Sequence, residues 1–180
     1  MVYVLLGTGF EEIEALTPVD LLRRAGVEVQ TVGINGKIVR GSHGIGVEAD
    51  VMQEQMDRTG MEMIVVPGGL GGVASIRASR EAMDAIRFAY DNGCFVAAIC
   101  AGPTVLADLV ITSGRNTTCY PGQETGMKDA VIAENAAVVR DGKVITGTSA
   151  GCATAFALAL VEALKGAEKA QAVREQIVIR

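Results

Sequence analysis

Short runs of consecutive apolar residues alternate along the chain with longer segments in which apolar positions recur every three to four residues. Runs of the first kind predict buried strands, and segments of the second kind predict amphipathic helices. The predicted strands include Val2–Leu6, residues 28–34, Met63–Val66 and Phe95–Ile99. Because strands that alternate with helices favour a parallel sheet with helices on both faces, we expect an α/β fold.

The first predicted helix contains a proline and begins with glutamates. It opens at residues 11–16 and resumes over residues 19–25, with Pro18 between the two parts. A proline inside a helix removes a backbone hydrogen bond, so we expect a break there. Glu11 and Glu12 lie in the first turn, where carboxylates suit the helix dipole, and the sequence predicts a solvent-exposed helix start.

Cap and turn residues set further boundaries. Ser79 is a typical N-cap residue, and Asp141-Gly142 between two apolar runs predicts a tight β-hairpin. The remaining predicted elements are helices at residues 79–90, 152–164 and 168–176, a strand at residues 116–120 and a polar connection at residues 53–60.

Composition narrows the class of protein. The chain has 180 residues, of which 49% are hydrophobic and 22 are glycine, which suits one α/β domain spanning residues 1–180. The net charge of −5 and the lack of a long basic run argue against nucleic acid as a partner. No apolar run approaches the roughly 20 residues that span a bilayer, and no signal peptide is apparent, so we expect a cytoplasmic protein without a membrane partner.

The sequence contains few residues of the types that bind transition metals. The four cysteines, at positions 94, 100, 119 and 152, match no zinc spacing, and His43 is the single histidine. We therefore expect reduced thiols and no metal site. A lone loop histidine is more often solvated than catalytic, although its ordinary pKa allows acid–base work near neutral pH.

Cys100 stands at the point where a predicted strand meets a predicted helix. The run Phe95–Ile99 ends at this cysteine, and Ala101-Gly102-Pro103 then leads into an apolar-periodic segment. A nucleophile elbow has this layout, because small residues let the chain turn steeply and expose the reactive side chain. Backbone N–H groups at the start of the helix favour a thiolate. The alternative is a buried cysteine that only fills space.

Two other motifs suggest different chemistry and are set aside. Gly69-x-Gly71-x-x-Ala74 fits a dinucleotide-binding spacing, but the next strand ends at Cys100 rather than at an acidic residue, so no cofactor is expected. Gly147-Thr148-Ser149-Ala150-Gly151 fits a serine-hydrolase elbow. That fold places its histidine after the serine, whereas His43 lies far before it.

Loops that follow predicted strands meet at one edge of a parallel sheet, and ligands bind there. These loops are residues 7–14, 67–72, 100–103 and 147–151. We therefore expect a pocket around Cys100, with Thr148 in one of its walls.

Several motifs together resemble the ThiJ/PfpI superfamily, in particular the branch of Parkinson-disease protein seven. They occur in that superfamily's order and cover the chain from the first strand to the penultimate helix. The most specific are Gly9-Phe10-Glu11-Glu12-Ile13-Glu14, Val66-Pro67-Gly68-Gly69 and Ala97-Ala98-Ile99-Cys100-Ala101-Gly102-Pro103.

The resemblance implies a flavodoxin-like three-layer sandwich, a mostly parallel sheet and a homodimer. It makes Cys100 the nucleophile and a protonated Glu14 its partner, with oxyanion N–H groups from Gly69 and Ala101 and with Gly68 alongside. It implies a cofactor-independent enzyme that takes a small carbonyl substrate, by glyoxalase III-like or deglycase-like chemistry.

The resemblance leaves two alternatives. One is a non-catalytic oxidative-stress sensor or chaperone in which Cys100 is oxidised. The other is a PfpI-like peptidase or amidohydrolase, but Ala101 stands where that branch has a histidine. Tyr120 stands where relatives often have a pocket histidine, and His43 falls where they carry a basic residue near the dimer interface.

Overall fold

The computed structural model describes residues 1–179. Its strands are β1 (Val2–Leu6), β2 (Val29–Gly33), β3 (Ile38–Arg40), β4 (Gly46–Glu48), β5 (Val51–Met52), β6 (Met63–Val66), β7 (Phe95–Ile99), β8 (Asn116–Thr117), β9 (Val131–Ile132), β10 (Val138–Asp141) and β11 (Val144–Gly147). Its α-helices are α1 (Glu12–Arg24), α2 (Leu70–Ala78), α3 (Arg80–Asp91), α4 (Pro103–Asp108), α5 (Ala153–Lys165) and α6 (Ala167–Gln176).

Seven strands form the central sheet in the order β10-β11-β7-β6-β1-β2-β5. All neighbouring pairs are parallel except β10 and β11. Taken in chain order, β1, β2, β6, β7 and β11 give the arrangement 2-1-3-4-5, which is the flavodoxin-like order. The expected fold class is confirmed.

The sheet separates two apolar cores. Val4 and Leu6 of β1 face one core with α1 and α5, whereas Leu5 faces the other core with α2, α3 and α4. Alternate residues of a strand point to opposite faces, and β1, β6 and β7 are buried on both. The result is a helix–sheet–helix sandwich.

Helix α1 is continuous through Pro18, so the predicted break is wrong. Pro18 has no N–H for the carbonyl of Glu14 four residues earlier, and one helical hydrogen bond is missing. Leu21 and Leu22 are buried in the core that α1 shares with α5. Burial of this apolar face offsets the missing bond.

The segment predicted as a glycine-rich loop at residues 67–72 is partly helical, because α2 begins at Leu70. A Cβ atom on Gly72 would lie 2.7 Å from the Cα atom of Phe10. The glycines of this helix therefore let its first turn press against the loop after β1. Strand β8 is also shorter than the predicted strand at residues 116–120.

Other boundaries agree closely with the sequence prediction. Ser79 caps α3 by accepting a hydrogen bond from the N–H of Ala82 at 3.1 Å. The predicted hairpin is present, but its turn is Gly142-Lys143, one residue later than the predicted Asp141-Gly142, because Asp141 pairs with Val144; Gly142 has a φ of +62°. Over residues 1–179, every helix is too short or too polar to cross a lipid bilayer.

Candidate active site

Cys100 occupies a sharp turn between β7 and α4. Its φ is +64°, a left-handed conformation that a side chain with a Cβ atom rarely adopts. Its N–H donates to the carbonyl of Gly147 at 3.0 Å, and its carbonyl accepts from the N–H of Tyr120 at 2.8 Å. These two bonds hold the strained residue in place, which is typical of functional positions.

Glycines allow the chain to close tightly around this turn. A Cβ atom on Gly68 would lie 2.4 Å from Oε2 of Glu14 and 2.7 Å from the Cβ atom of Cys100. A Cβ atom on Gly102 would lie 2.4 Å from the carbonyl oxygen of Val66. A larger residue at Gly68 would push the thiol and the carboxyl apart, and one at Gly102 would displace the ends of β6 and β7.

Glu14 projects from the first turn of α1 and is only 1% exposed. The N–H of Gly68 donates to its Oε2 at 2.9 Å. Its Oε1 is fully buried and lacks a well-formed hydrogen bond among the described residues. Because a buried charge is poorly solvated, burial disfavours the carboxylate and raises the pKa of Glu14.

The carboxyl of Glu14 and the thiol of Cys100 form an electrostatically linked pair. Burial raises the pKa of Glu14 to about 7, against hydrogen bonds from Cys100, Gly68 and Ala150 that lower it. Burial, followed by the charge of Glu14 and the hydrogen bond to it, raises the pKa of Cys100 to about 12. Two interacting groups titrate as a pair, so this pair holds one proton between about pH 7 and about pH 12.

Two backbone N–H groups act on the sulfur of Cys100. Those of Ala101 and Gly69 donate toward it and lower its pKa. Gly69, with a φ of +85°, is the N-cap residue of α2, and Ala101 follows the cysteine directly. The N–H of Gly68, in contrast, bonds to Glu14. Donors that converge on a sulfur can also bind an oxygen that bears a developing negative charge.

Helix α1 begins with a second cluster of acidic groups. Oε2 of Glu11 accepts from the N–H of Glu14 at 2.8 Å, so Glu11 caps the helix. Glu12 is 5% exposed, and its carboxylate accepts from the N–H of His43 at 2.8 Å and lies 2.9 Å from Nδ1 of that ring. The prediction of a solvent-exposed Glu12 is therefore wrong, because the loop between β3 and β4 folds over it.

His43 belongs to this cluster and not to the Cys100 pair. Its ring is 70% exposed, and no hydrogen bond joins it to Cys100 or Glu14 within residues 1–179. The possible ligand atoms of Glu11, Glu12 and His43 lie within 4.8 Å of one another. Backbone N–H groups already occupy the carboxylate of Glu12, which leaves it little freedom to bind a metal ion.

Tyr120 and Thr148 lie in loops next to the pair. The backbone of Tyr120 bonds to Cys100, while its side chain is about half exposed. Oγ1 of Thr148 lies 3.0 Å from Oγ1 of Thr118 in the wall of a cavity. Sequence reasoning missed the roles of Glu11 and of the N–H groups of Tyr120 and Ala150. Backbone contacts of this kind leave no signal in residue type.

The flavodoxin-like sheet and the cysteine elbow together define an α/β protein with a buried thiol–carboxyl pair at the ends of its strands. Residues 1–163 match the model of the DJ-1/PfpI family. The chain belongs to the DJ-1/PfpI family.

Three relatives illustrate this membership. The chain is 36% identical to protein dj-1beta of Drosophila melanogaster over 98% of this chain and 95% of the relative. The crystal structure of that protein has a TM-score of 0.95 to this one, covers 99% of this chain and 97% of its own, and is 35% identical in sequence. The chain is 35% identical to the Parkinson disease protein 7 homolog of Danio rerio, over 98% and 96% of the two chains. It is 29% identical to a deglycase of Pyrococcus abyssi, over 91% and 99%.

The cluster of Glu11, Glu12 and His43 makes the stability of the folded protein depend on pH. Hydrogen bonds from His43 and Ile45 hold the pKa of Glu12 at about 2, below its ordinary 4.5, so its contribution is full above pH 4.5 and disappears as the pH falls toward 2. The hydrogen bond to Glu12 raises the pKa of His43, so that contribution is full below pH 6.5 and is lost as the pH rises.

We therefore expect Glu12→Gln to lower the free energy of unfolding by about 1–2 kcal/mol between pH 4.5 and pH 6.5, which are the ordinary pKa values of Glu12 and His43. Urea denaturation from about pH 2 to about pH 8 measures the effect and its loss below pH 4.5 and above pH 6.5. The control is Glu48→Gln, which removes an exposed carboxylate from the same hairpin. A Glu12→Gln variant that loses stability with acid as steeply as the wild type would contradict this assignment.

Proposed function

We propose that the protein is a cofactor-independent cysteine enzyme that acts on reactive carbonyl compounds. The substrates are α-oxoaldehydes, converted in a glyoxalase III-like reaction, or the adducts that they form, in a deglycase-like reaction. The observation that carries the proposal is the buried Cys100–Glu14 pair, in which burial raises the pKa of both groups and the N–H groups of Gly69 and Ala101 face the sulfur. The relatives of DJ-1 type, including one named as a deglycase, support it.

The first step is addition of the sulfur to the aldehyde carbon. With the proton on Glu14, Cys100 is a thiolate and the carboxyl donates a hydrogen bond to it. The new C–S bond places negative charge on the former carbonyl oxygen, which the N–H groups of Gly69 and Ala101 stabilise. Glu14 then transfers its proton to that oxygen, and a hemithioacetal results.

The next steps move a proton between the two carbons of the substrate. Glu14, now a carboxylate, takes the proton from the carbon bonded to sulfur and returns it to the neighbouring ketone carbon. The hydroxyl proton of the hemithioacetal passes to the former ketone oxygen in the same rearrangement. The aldehyde carbon is thereby oxidised to a thioester while the ketone is reduced to an alcohol, so no external oxidant is required. Water then attacks the thioester, and the hydroxy acid and the free thiol are released.

The geometry gives less support to a peptidase. A Cys–His pair needs a histidine within hydrogen-bond reach of the sulfur. Ala101 follows the cysteine, and the ring of His43 bonds to Glu12. Neither supplies the base that amide hydrolysis requires, and we do not assign His43 or the side chain of Tyr120 a chemical step.

A redox-sensing role is the second candidate. The same N–H groups of Gly69 and Ala101 that can bind an oxyanion can bind an oxygen of a sulfinate on Cys100. Peroxide is then the co-reactant that supplies the oxygen atoms. A sensor needs the thiolate but not the proton transfers of Glu14, and this difference separates the two candidates.

We further propose that the protein is a single-domain cytoplasmic homodimer. All four cysteines are unpaired, which suits a reducing compartment. Exposed isoleucines lie on α1 and on the adjoining β3–β4 hairpin, where Ile13, Ile38 and Ile45 are 54%, 74% and 54% exposed. The bonds from Glu12 to the hairpin hold these two elements together. Apolar surface of this kind suits an interface.

The enzyme proposal predicts saturable consumption of an α-oxoaldehyde by the purified protein. Cys100→Ser is expected to remove it, because the nucleophile is lost, and Glu14→Gln to reduce it about a hundred-fold or more. The matched control is Cys94→Ser. Cys94 lies at the opposite end of β7, where its thiol donates to the carbonyl of Met61 at 3.0 Å.

Peptide mapping after peroxide treatment distinguishes the redox sensor from the enzyme. Selective oxidation of Cys100 without saturable turnover in the wild type would replace the enzyme by the sensor. Turnover by Cys100→Ser as fast as that of the wild type would refute the enzyme proposal, and peroxide oxidation that does not favour Cys100 over the other cysteines would refute the sensor.

The dimer proposal predicts that Ile38→Asp yields a monomer, because it introduces a charge into the apolar interface. Sedimentation equilibrium measures the mass. Val110→Asp is the control. Val110 is 65% exposed and directly follows α4, which packs on the face of the sheet opposite to α1. A wild-type monomer, or an Ile38→Asp dimer as tight as the wild type, would contradict this interface.

A further inference from the structure

A cavity of about 870 Å³ lies beside the loops that hold the Cys100–Glu14 pair, and neither Cys100 nor Glu14 is among its lining residues. Its walls come from residues 118–124, 132–137 and 148–152. Two of these segments also touch the pair: the N–H of Tyr120 donates to the carbonyl of Cys100 at 2.8 Å, and the N–H of Ala150 acts on the carboxyl of Glu14. The cavity and the pair therefore share the loops at the carboxyl ends of β7 and β11.

Hydrogen bonds between its walls keep this cavity open and shaped. Oγ1 of Thr148 lies 3.0 Å from Oγ1 of Thr118, and the N–H of Thr148 donates to the carbonyl of Ala137 at 3.0 Å. The N–H of Ala133 donates to the carbonyl of Thr117 at 2.8 Å. Because all three wall segments are tied together, the cavity exists before any ligand arrives.

The size of the cavity exceeds what the reacting carbonyl needs. Cavities of about 300–1,000 Å³ accommodate drug-sized ligands, whereas an α-oxoaldehyde with a methyl substituent has only five heavy atoms. The remaining space can hold a larger substituent on the same carbonyl compound. The residues that line the cavity therefore determine which substituent is preferred.

The lining carries negative charge only. Glu124 and Glu134 are both in the wall, and the lining residues include no lysine, arginine or histidine. The charge of Glu124 reaches the interior, since it adds to the effect of burial in raising the pKa of the buried Cys119 to about 11. The other polar groups, among them Asn135 and the hydroxyl of Ser149, are neutral.

We infer that this cavity binds the substituent of the carbonyl substrate and selects substituents with an ammonium or guanidinium group over those with a carboxylate, sulfonate or phosphate. Glu124 and Glu134 are the residues that determine this selectivity. The inference rests on the proposed function for the chemistry at the carbonyl end. The charge selectivity itself acts on any small electrophile that reaches Cys100 through the cavity.

Thiol-directed reagents test the selectivity without requiring turnover. Two methanethiosulfonates of similar size, one with a trimethylammonium and one with a sulfonate group, are reacted with the protein, and labelling of Cys100 is followed by peptide mapping. Each rate is normalised to the rate with 2-mercaptoethanol, a neutral thiol. We expect the cationic reagent to react about ten-fold faster in the wild type at moderate ionic strength.

The double variant Glu124→Gln/Glu134→Gln is expected to reduce this ratio to about two-fold. Glutamine at position 124 keeps an oxygen for the N–H of Gly122, which donates to Glu124 at 2.7 Å. Glu168→Gln, an exposed site on α6, is the control and is expected to keep the wild-type ratio.

A normalised ratio near one in the wild type, or an unchanged ratio in the double variant, overturns the inference. Failure of α-oxoaldehyde turnover would refute the proposed function but would leave this ratio measurable. A matching preference among para-substituted phenylglyoxals, trimethylammonium over carboxylate, then extends the selectivity from reagents to substrates.

Discussion

The contact between the Cys100 thiol and the Glu14 carboxyl is the interaction on which the site depends. Two acidic groups in one buried place cannot both ionise easily, because each negative charge is poorly solvated and repels the other. The pair therefore loses its first proton near pH 7 and keeps the second to about pH 12. Whether the remaining proton lies on oxygen or on sulfur decides the chemistry, since only a thiolate attacks a carbonyl carbon readily.

We propose that the surrounding structure keeps the proton on oxygen. The N–H groups of Gly69 and Ala101 act on the sulfur and lower its pKa. If Glu14 holds the proton, its charge no longer raises the pKa of Cys100, and the neutral carboxyl can donate a hydrogen bond to the sulfur. The left-handed backbone of Cys100 and the glycine at position 68 bring the two groups together. Burial of the carboxyl thus serves reactivity at a cost in stability.

Much of this site follows from local sequence, and some of it does not. An apolar strand, a cysteine and small residues predict the elbow, because chain direction and steric space are local properties. Glu14 was expected as the partner only by resemblance, since its contact with Cys100 joins residues 86 positions apart. The burial of Glu12, the continuity of α1 through Pro18 and the helical start at Leu70 all depend on packing between distant segments. Tertiary contacts override local propensity at these positions.

The position of the proton can be measured directly by following thiolate absorbance in the ultraviolet as a function of pH. The signal of Cys100 is the difference between the wild type and Cys100→Ser. If Glu14 keeps the shared proton, thiolate forms with a midpoint near pH 7. Thiolate that appears only toward pH 12 would place the proton on sulfur and contradict the account.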